Sequence, residues 1–433
     1  MKVYEVLIEY STSKLDRLFS YTYKGEKTIN KLCRVIVPFA HKNICGIVID
    51  IKETADDYQN KIGYEVKDIV DVIDEKPLLN DELFALASDI AEYYYSPKIS
   101  VFLAMLPPSL KPSISSQNKP KIAYNQFVKA CEGVNDDNLT IKQKELLLNI
   151  INNGTIRKSE CSQNLLQQLL KKNKVTIFTV EKHRLELSNT QKQSKLILNE
   201  EQQKCFETIL HDNNDIFLLE GVTGSGKTEV YLQVAEEIIK NQKKVIMLVP
   251  EISLSYQMVQ RFNERFDRIA VLHSKLTLGQ RYDEYRRIKN GEVDIVIGAR
   301  SAIFAPLDNI GLIIIDEEHS ETYKQDDQQP FYNAIEVAKM RQKYHNLKIV
   351  LGSATPSLES KSRALKGLYK QLYLTKRINN LSLPEVKIVD MTDINNIDEE
   401  SVLISRPLKE AIKERLKKKE QTILLVNRRG YSP

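Results

Sequence analysis

The chain has 433 residues, 42% of them hydrophobic and 28% charged, with a net charge of +5 at pH 7. That composition excludes general disorder and suffices for roughly three domains of about 150 residues each, while so small a net charge does not by itself argue for nucleic acid. No apolar run approaches the roughly 18 residues of a membrane span, and the start, MKVYEVLIEY, lacks the features of an export signal, so no membrane association and a cytosolic, cytoplasmic setting are expected. Cys33, Cys45, Cys131, Cys161 and Cys205 are scattered without a C-x-x-C pair, which leaves neither a disulfide framework nor a metal knuckle.

In chain order, residues 1–113 begin with short β-type runs (VYEVLIEY, CRVIVPF, ICGIVIDI). The helical pattern DELFALASDIAEYYY follows, with Leu83, Leu86, Ala87, Ile90 and Tyr94 on one face. This reads as a small β-rich domain with a helix, closed by the Pro/Ser-rich stretch MLPPSLKPSISSQNKP. Residues 114–182 offer a helix (TIKQKELLLNIINN), a turn at Gly154, a second short element, a third helix (NLLQQLLKKN) and a strand (KVTIFTV), the order of a winged helix. Two basic runs stand out: residues 140–184 and residues 406–429 each carry nine Lys/Arg against three Glu. Alone, such a run reads first as a solvated helix face, and only a nucleic-acid context makes it a phosphate-binding surface. Residues 183–195 are polar enough to be a linker. From 196 onward strands and helices alternate, with strands apolar on both faces, as a parallel sheet covered by helices requires. There are no internal repeats.

FLLEGVTGSGKTEVYL satisfies G-x-x-x-x-G-K-[ST] between a strand and a helix. Gly221, Thr223, Gly224, Ser225 and Gly226 would wrap backbone N–H groups around phosphates at a helix N-terminus. Lys227 would neutralise the β- and γ-phosphates, and the Thr228 hydroxyl would ligate Mg²⁺. Further on, GLIIIDEEHS puts Asp316 at a strand end, where it could hold Mg²⁺, beside Glu317, which could polarise the attacking water. A D-E pair at a strand end is by itself often solvated surface; downstream of a phosphate loop it becomes a second half of a nucleotide site. KIVLGSATPS adds a third strand ending in Ser353 and Thr355. Phosphate loop, DEEH and GSATPS in this order resemble superfamily 2 helicases and translocases, in which the third segment, here Ser353 and Thr355, links nucleotide to nucleic acid, with His319 of DEEH as a coupling residue beside it.

Further stretches narrow the resemblance: LLEGVTGSGKTEVY, LVPEISLSYQ, LHSKLTLGQR, IVIGARSAIFAP, IIIDEEHSETYKQ, LGSATPSLES and LLVNRRGYSP are similar, in order, to the primosomal protein N′ (PriA) family of bacterial replication-restart helicases. RVIVPFAHKNICGIVIDI and IAEYYYSPKISVFLAMLPPSLKP resemble that family's 3′-end DNA-binding domain. The resemblance covers essentially the whole chain. It implies an α/β fold: a RecA-like P-loop helicase lobe over 196–375, preceded by a β-rich DNA-binding domain (1–113), a winged-helix domain (114–182) and a linker (183–195), and followed by the start of a second lobe (376–433). It also implies an ATP- and Mg²⁺-dependent 3′-to-5′ helicase acting on forks, single strands and 3′ ends, with primosome proteins and single-stranded DNA-binding protein as partners.

Position by position, the resemblance makes Gln202 the adenine-side glutamine, although the residues alone also allow an ordinary member of a polar helix. Ser253, Ser255 and Gln257, with Arg300 and Ser301, take single-strand-contacting positions. Tyr323, Phe331 and Tyr332 belong to an aromatic-rich DNA-sensing loop as stacking candidates, and Phe19 and Tyr21 to the end-binding site. Two departures matter. Where the family has Arg-Tyr-His-Ala-Arg this chain has Phe331, Tyr332, Asn333, Ala334 and Ile335, and where it has Phe-Asp-Tyr this chain has Phe19, Ser20 and Tyr21. The family's zinc-binding cysteines and arginine-finger segment do not occur here, so zinc is expected only in a missing C-terminal region and the chain is expected to be a fragment with impaired hydrolysis. The competing readings are another superfamily 2 translocase of the RecG fork-remodelling type, or an ATP-gated DNA clamp.

Overall fold

The computed structural model describes residues 2–53, 66–113, 122–185, 192–251, 256–378, 385–398 and 401–425. The chain divides into two compact units, Met1–Ile378 and Asn379–Pro433.

The first unit opens with a five-stranded sheet in the order β2-β1-β4-β3-β5, all pairs antiparallel. Its strands are β1 (Lys2–Ile8), β2 (Phe19–Tyr21), β3 (Arg34–Phe39), β4 (Lys42–Glu53) and β5 (Asp71–Val72). The β3–β4 hairpin turns on Ala40 and His41, both left-handed at φ 47 and 64, the handedness that matches strand twist in a two-residue loop. Both faces of this sheet are covered, which is why its strands read as unbroken apolar runs. Val6, Ile8, Val35, Val37, Ile44 and Val48 form one cluster, and Leu7, Ile47 and Ile49 belong to another with α1 (Asp81–Tyr93) and α2 (Lys98–Met105). Asn80 caps α1, accepting from the Leu83 N–H at 3.0 Å, and Leu83, Leu86, Ala87 and Ile90 make its buried stripe.

The core that buries this stripe does not stop at residue 113. The same apolar cluster contains Phe304, Tyr332, Ala334, Ile335 and Ala338, far along the chain. The seam is also polar. Fully buried Arg341 donates to Glu82 at 2.8 and 2.6 Å and to the Ile303 and Ala305 carbonyls at 2.6 and 3.2 Å. Tyr285 donates to the Leu78 carbonyl at 2.9 Å, and the Tyr94 hydroxyl accepts from the Asn333 N–H at 3.0 Å.

Next come β6 (Tyr124–Ala130), α3 (Ile141–Asn153), β7 (Thr155–Arg157), α4 (Gln163–Lys171) and β8 (Val175–Glu181), with the strands in the antiparallel order β7-β6-β8. Thr140 and Gln143 form a capping box at the start of α3, and Gly154 at φ 70 ends it. The short element expected as a second helix is instead β7 and a single 3₁₀ turn, because Thr155 and Ile156 pair with Lys129 and Val128 of β6.

The remaining elements of this unit are α5 (Glu200–His211), β9 (Ile216–Gly221), α6 (Lys227–Lys240), β10 (Lys244–Leu248), α7 (Tyr256–Asn263), β11 (Ile269–Leu272), α8 (Leu278–Lys289), β12 (Ile295–Gly298), β13 (Ile310–Asp316), α9 (Ala334–Arg341), β14 (Lys348–Ser353), α10 (Leu358–Leu365) and β15 (Lys370–Leu374). Their seven strands form one parallel sheet in the order β11-β12-β10-β13-β14-β9-β15. Ile313, Ile314 and Ile315 are all fully buried, as a sheet helix-covered on both sides demands. This is the RecA-like α/β lobe. Because β13, β14 and β9 are neighbours, Asp316 pairs with Gly352 and Ser353 with Glu220, which puts three loops side by side at the strands' carboxyl ends.

The second unit holds the antiparallel pair β16 (Ile397–Asp398) and β17 (Ser401–Ser405) and the helix α11 (Arg406–Lys417), capped by Ser405. NRRGYSP lies outside the described residues. Among the described residues no helix is long and apolar enough to cross a membrane.

Candidate nucleotide and DNA sites

The phosphate loop joins β9 to α6. Gly224 and Gly226 sit at φ 82 and 83, a region open to glycine but strained for a side chain. At Gly226 a Cβ would also come within 2.4 Å of Gln202 Nε2, and at Gly221 within 2.7 Å of Ser225 Oγ. The loop is therefore shaped by bare backbone, and α6 begins beneath it, where the Lys227 and Thr228 N–H groups precede the first intrahelical bond, from Glu229 N to the Gly226 carbonyl at 3.0 Å, and can meet an anion. Lys227 Nζ donates to the Gly221 carbonyl at 2.7 Å, lying across the loop. A cavity of about 490 Å³ opens here, lined by residues 222–229, Asp316, Glu317, Leu196 and Ile378 among others. Thr223, Ser225 and Thr228 thus all face it. Ser225 Oγ is buried and has no hydrogen-bond partner. A hydroxyl, an ammonium, two carboxylates, free amides and an orphaned buried oxygen around one cavity fit a Mg²⁺-bound nucleotide, whose phosphates and waters complete the metal's shell. Among the described residues no group of three or more His, Cys, Asp or Glu could hold a metal alone.

Asp316 Oδ1 accepts from the Tyr231 hydroxyl at 3.1 Å. Burial and the adjacent Glu317 charge push the Asp316 carboxyl above its usual range, against the pull of Tyr231 and Lys227. Burial and the Asp316 charge in turn hold the Tyr231 phenol well above its usual range, so it remains a donor. Tyr231 reaches Asp316 across Gly352, where a Cβ would lie 1.7 Å from the phenol oxygen. Glu317 sits at φ 48, turning the chain so that successive carboxylates leave in different directions. Asp316 and Glu317 face the cavity, whereas Glu318 is buried and accepts from Ser357 N, Ser357 Oγ and Ser360 Oγ at 2.7, 3.0 and 2.8 Å. His319 Nδ1 lies 2.7 Å from Ser353 Oγ and 3.6 Å from Glu317 Oε2, and Ser353 Oγ accepts from Thr355 N at 3.0 Å. His319, Ser353 and Thr355 are thus brought together.

Several predicted residues stand elsewhere. Gln202 does not line the cavity. Its amide is engaged within the chain, accepting from Asn199 N at 3.0 Å and donating to the Ser225 carbonyl at 2.8 Å, so it braces the phosphate loop from behind. Of the three expected stacking rings, Tyr323 and Tyr332 are buried to 1% exposure and only Phe331, at 45%, is open. Tyr323 is held inside by donating to the Asp316 carbonyl at 2.5 Å, and Tyr332 by packing on Phe304 with the Arg300 guanidinium over its ring. Arg300 donates to the Lys324 carbonyl and Gln325 Oε1 at 2.6 and 3.1 Å, bracing this loop. Ser301 and Gln257 are exposed. Ser253 and Ser255 lie outside the described residues.

A second cavity, of about 350 Å³, lies on the N-terminal sheet between Arg17, Phe19, Ser20, Tyr21, Phe39 and Lys67. Phe19 meets Phe39 edge-on at 5.2 Å, and the Arg17 guanidinium lies 5.0 Å from the Phe19 ring. Tyr21 is buried, which pushes its phenol up to about 12. Ser20 donates to Glu5, at 3.2 and 3.3 Å from its two oxygens. A carboxylate thus stands one strand behind the position where the resemblance expects one.

Comparison with known proteins accords with this geometry. The DEAD/DEAH box helicase family matches residues 199–363, from the start of α5 into α10, and the 3′ DNA-binding domain (3′BD) family of PriA matches residues 5–107. The replication restart protein PriA of Bacillus subtilis (strain 168) is 35% identical over 513 residues, covering 100% of this chain and 63% of the relative. That of Haemophilus influenzae is 34% identical over 431 residues, covering 97% and 58%. The chain carries a PriA-type 3′ DNA-binding domain and a DEAD/DEAH box helicase domain, and it is similar to PriA proteins along its whole length. It spans 63% and 58% of the length of these two PriA relatives. The PriA protein of Rickettsia felis is 44% identical over 234 residues, 54% of this chain and 36% of its own length. Among solved structures, the Pyrococcus furiosus Hef helicase domain aligns over 41% of this chain and 39% of that one at 17% identity and a TM-score of 0.32, too slight an overlap to argue from.

Sequence reasoning missed Tyr231, Gly352 and Glu318. Tyr231 stands four residues after Lys227, one helical turn on, a spacing that sets it under the same loop. Gly352 precedes the hydroxyls of GSATPS and carries no signal until its neighbour is known.

Proposed function

We propose that this chain carries the nucleotide-binding lobe and the DNA-end-binding region of an ATP-dependent 3′-to-5′ DNA helicase of replication restart, working in the cytoplasm at forks and single strands with primosome proteins and single-stranded DNA-binding protein. The observation that carries the reading is the meeting of the phosphate loop, Asp316–Glu317 and the His319–Ser353 contact at the ends of three adjacent strands.

In this reading the phosphate-loop amides and Lys227 hold the β- and γ-phosphates, and Thr228 and Asp316 hold Mg²⁺. The metal, when bound, neutralises charge on the transferring phosphoryl group. Tyr231 fixes one oxygen of Asp316 and leaves the other toward the cavity. Glu317 orients and deprotonates the attacking water. His319, 3.6 Å from Glu317 and 2.7 Å from Ser353, ties that carboxylate to the β14–α10 turn, which Glu318 fastens through Ser357 and Ser360. On the DNA side, Phe331 offers a stacking face while Arg300 braces the loop behind it. The pocket of Phe19, Tyr21 and Phe39 receives a strand end, with Ser20 and Glu5 as its polar floor. Single-turnover ATP hydrolysis with and without forked DNA tests the reading: DNA-stimulated turnover that Lys227→Ala abolishes is expected, and turnover indifferent to both would refute it.

A further inference from the structure

The turn between α1 and α2 carries Tyr93, Tyr94 and Tyr95. The middle ring is explained by the fold, since its hydroxyl accepts from the Asn333 N–H at 3.0 Å. The outer two are not: Tyr93 is 58% exposed, meeting Tyr94 edge-on at 4.9 Å, and Tyr95 is 94% exposed. Tyr95 also sits at φ 49, a conformation that suits glycine or asparagine and penalises a bulky side chain. A large ring, strained in its backbone and bare to water, buries almost none of its surface in the fold.

Its surroundings say what it faces. On one side the turn touches the foot of the loop that presents Phe331. On the other, Lys98 N donates to Asp16 Oδ1 at 3.0 Å, and the next residue, Arg17, lines the N-terminal pocket. The tyrosine turn therefore stands between the strand-end pocket and the motor's exposed aromatic. We propose that Tyr93 and Tyr95 form a stacking platform for single-stranded DNA, carrying the bases between the end-binding pocket and Phe331. The platform rests on the DNA reading above and extends it. Ring stacking accepts any base, which suits a protein acting at forks of any sequence, and a strand continuous with both flanking sites would cover both rings.

The test uses the full chain and single strands in which 2-aminopurine is placed one position at a time from the 3′ end. Emission should fall at one or two internal positions, and Tyr93→Ala/Tyr95→Ala should restore it there. Affinity for long strands should drop about tenfold or more, since each lost stack is worth a factor of that order. Tyr93→Phe/Tyr95→Phe should retain the quenching, because the ring and not the hydroxyl is used. A short oligonucleotide filling only the pocket should bind the alanine variant as tightly as the parent, which shows the variant is folded. Binding of the short strand with no internal position sensitive to the two rings would overturn the platform. Failure of the unsubstituted chain to bind any 3′-ended strand would instead overturn the DNA reading, and the platform with it.

Discussion

Gly352→Ala probes the nucleotide site through a single methyl group. The added Cβ would lie 1.7 Å from the Tyr231 phenol oxygen, 2.9 Å from its Cζ and 3.3 Å from Asp316 Oδ1, and Tyr231 has no room to retreat because it is fully buried on α6. Overpacking a tight core costs about 1–3 kcal/mol, and stranding a buried bond to a carboxylate about 1.5–3 kcal/mol. Tyr231→Phe removes only the bond. The two changes should not add: with the hydroxyl gone the 1.7 Å contact vanishes and only the milder 2.9 and 3.3 Å ones remain, so alanine at 352 should cost at least about 1 kcal/mol less in the phenylalanine background. Urea unfolding of the four proteins of this cycle measures that coupling, and a Mg²⁺ titration of fluorescent-nucleotide binding reports on Asp316. Strictly additive stabilities, or unaltered Mg²⁺ dependence in both single variants, would refute the placement of Tyr231 against Asp316.

Lys227→Ala should lose nucleotide affinity while keeping DNA binding, as the ammonium meets backbone at the loop and not the core; equilibrium binding of both ligands checks it. Glu317→Gln should slow hydrolysis by about 10² or more with ATP still bound, read in single-turnover assays. Glu318→Ala removes the acceptor of the Ser357 N–H, the Ser357 hydroxyl and the buried Ser360 hydroxyl, which should cost about 1–3 kcal/mol in a denaturation series. For Glu82, burial raises the carboxyl, but the charges of Arg341 and His345 more than offset it, so it titrates below its usual range. A depressed folded value means stability that is present above the unfolded pKa and lost as pH falls through the folded one. Glu82→Gln should therefore lower stability near neutrality and flatten the loss below about pH 4, seen in unfolding midpoints against pH.

The lobe was legible because its strands carry unbroken apolar runs and its phosphate loop a strict spacing. Asp316, Glu317, His319 and Ser353 follow once the strand ends are placed. Tyr323 and Tyr332 were not legible, since an aromatic in a polar loop reads as exposed until its hydroxyl or ring finds a buried partner, here the Asp316 carbonyl and Phe304. The bracing role of Gln202 was not legible for a related reason: an amide can serve a ligand or a capping box with equal chemistry, and the capping box appears only once the helix start is placed. β6 escaped notice because YNQFVKA offers no unbroken apolar run and gains its strand state from pairing with β8. Contacts between residues distant in sequence, such as Arg341 with Glu82, leave no local pattern at all.

That last contact bears on modularity. The Pro/Ser-rich stretch after residue 113 looks like a place where a piece of the protein could be cut out and moved. A piece ending there would keep Leu83, Leu86 and Ile90 on the sheet but strip them of the Phe304–Ala338 side of their core, while the remainder would keep a guanidinium with no counter-charge. The strand-end pocket and the nucleotide lobe are therefore not interchangeable parts joined by a tether. An exchange of one between relatives is expected to succeed only if the helix Asp81–Tyr93 and its seat travel as a pair.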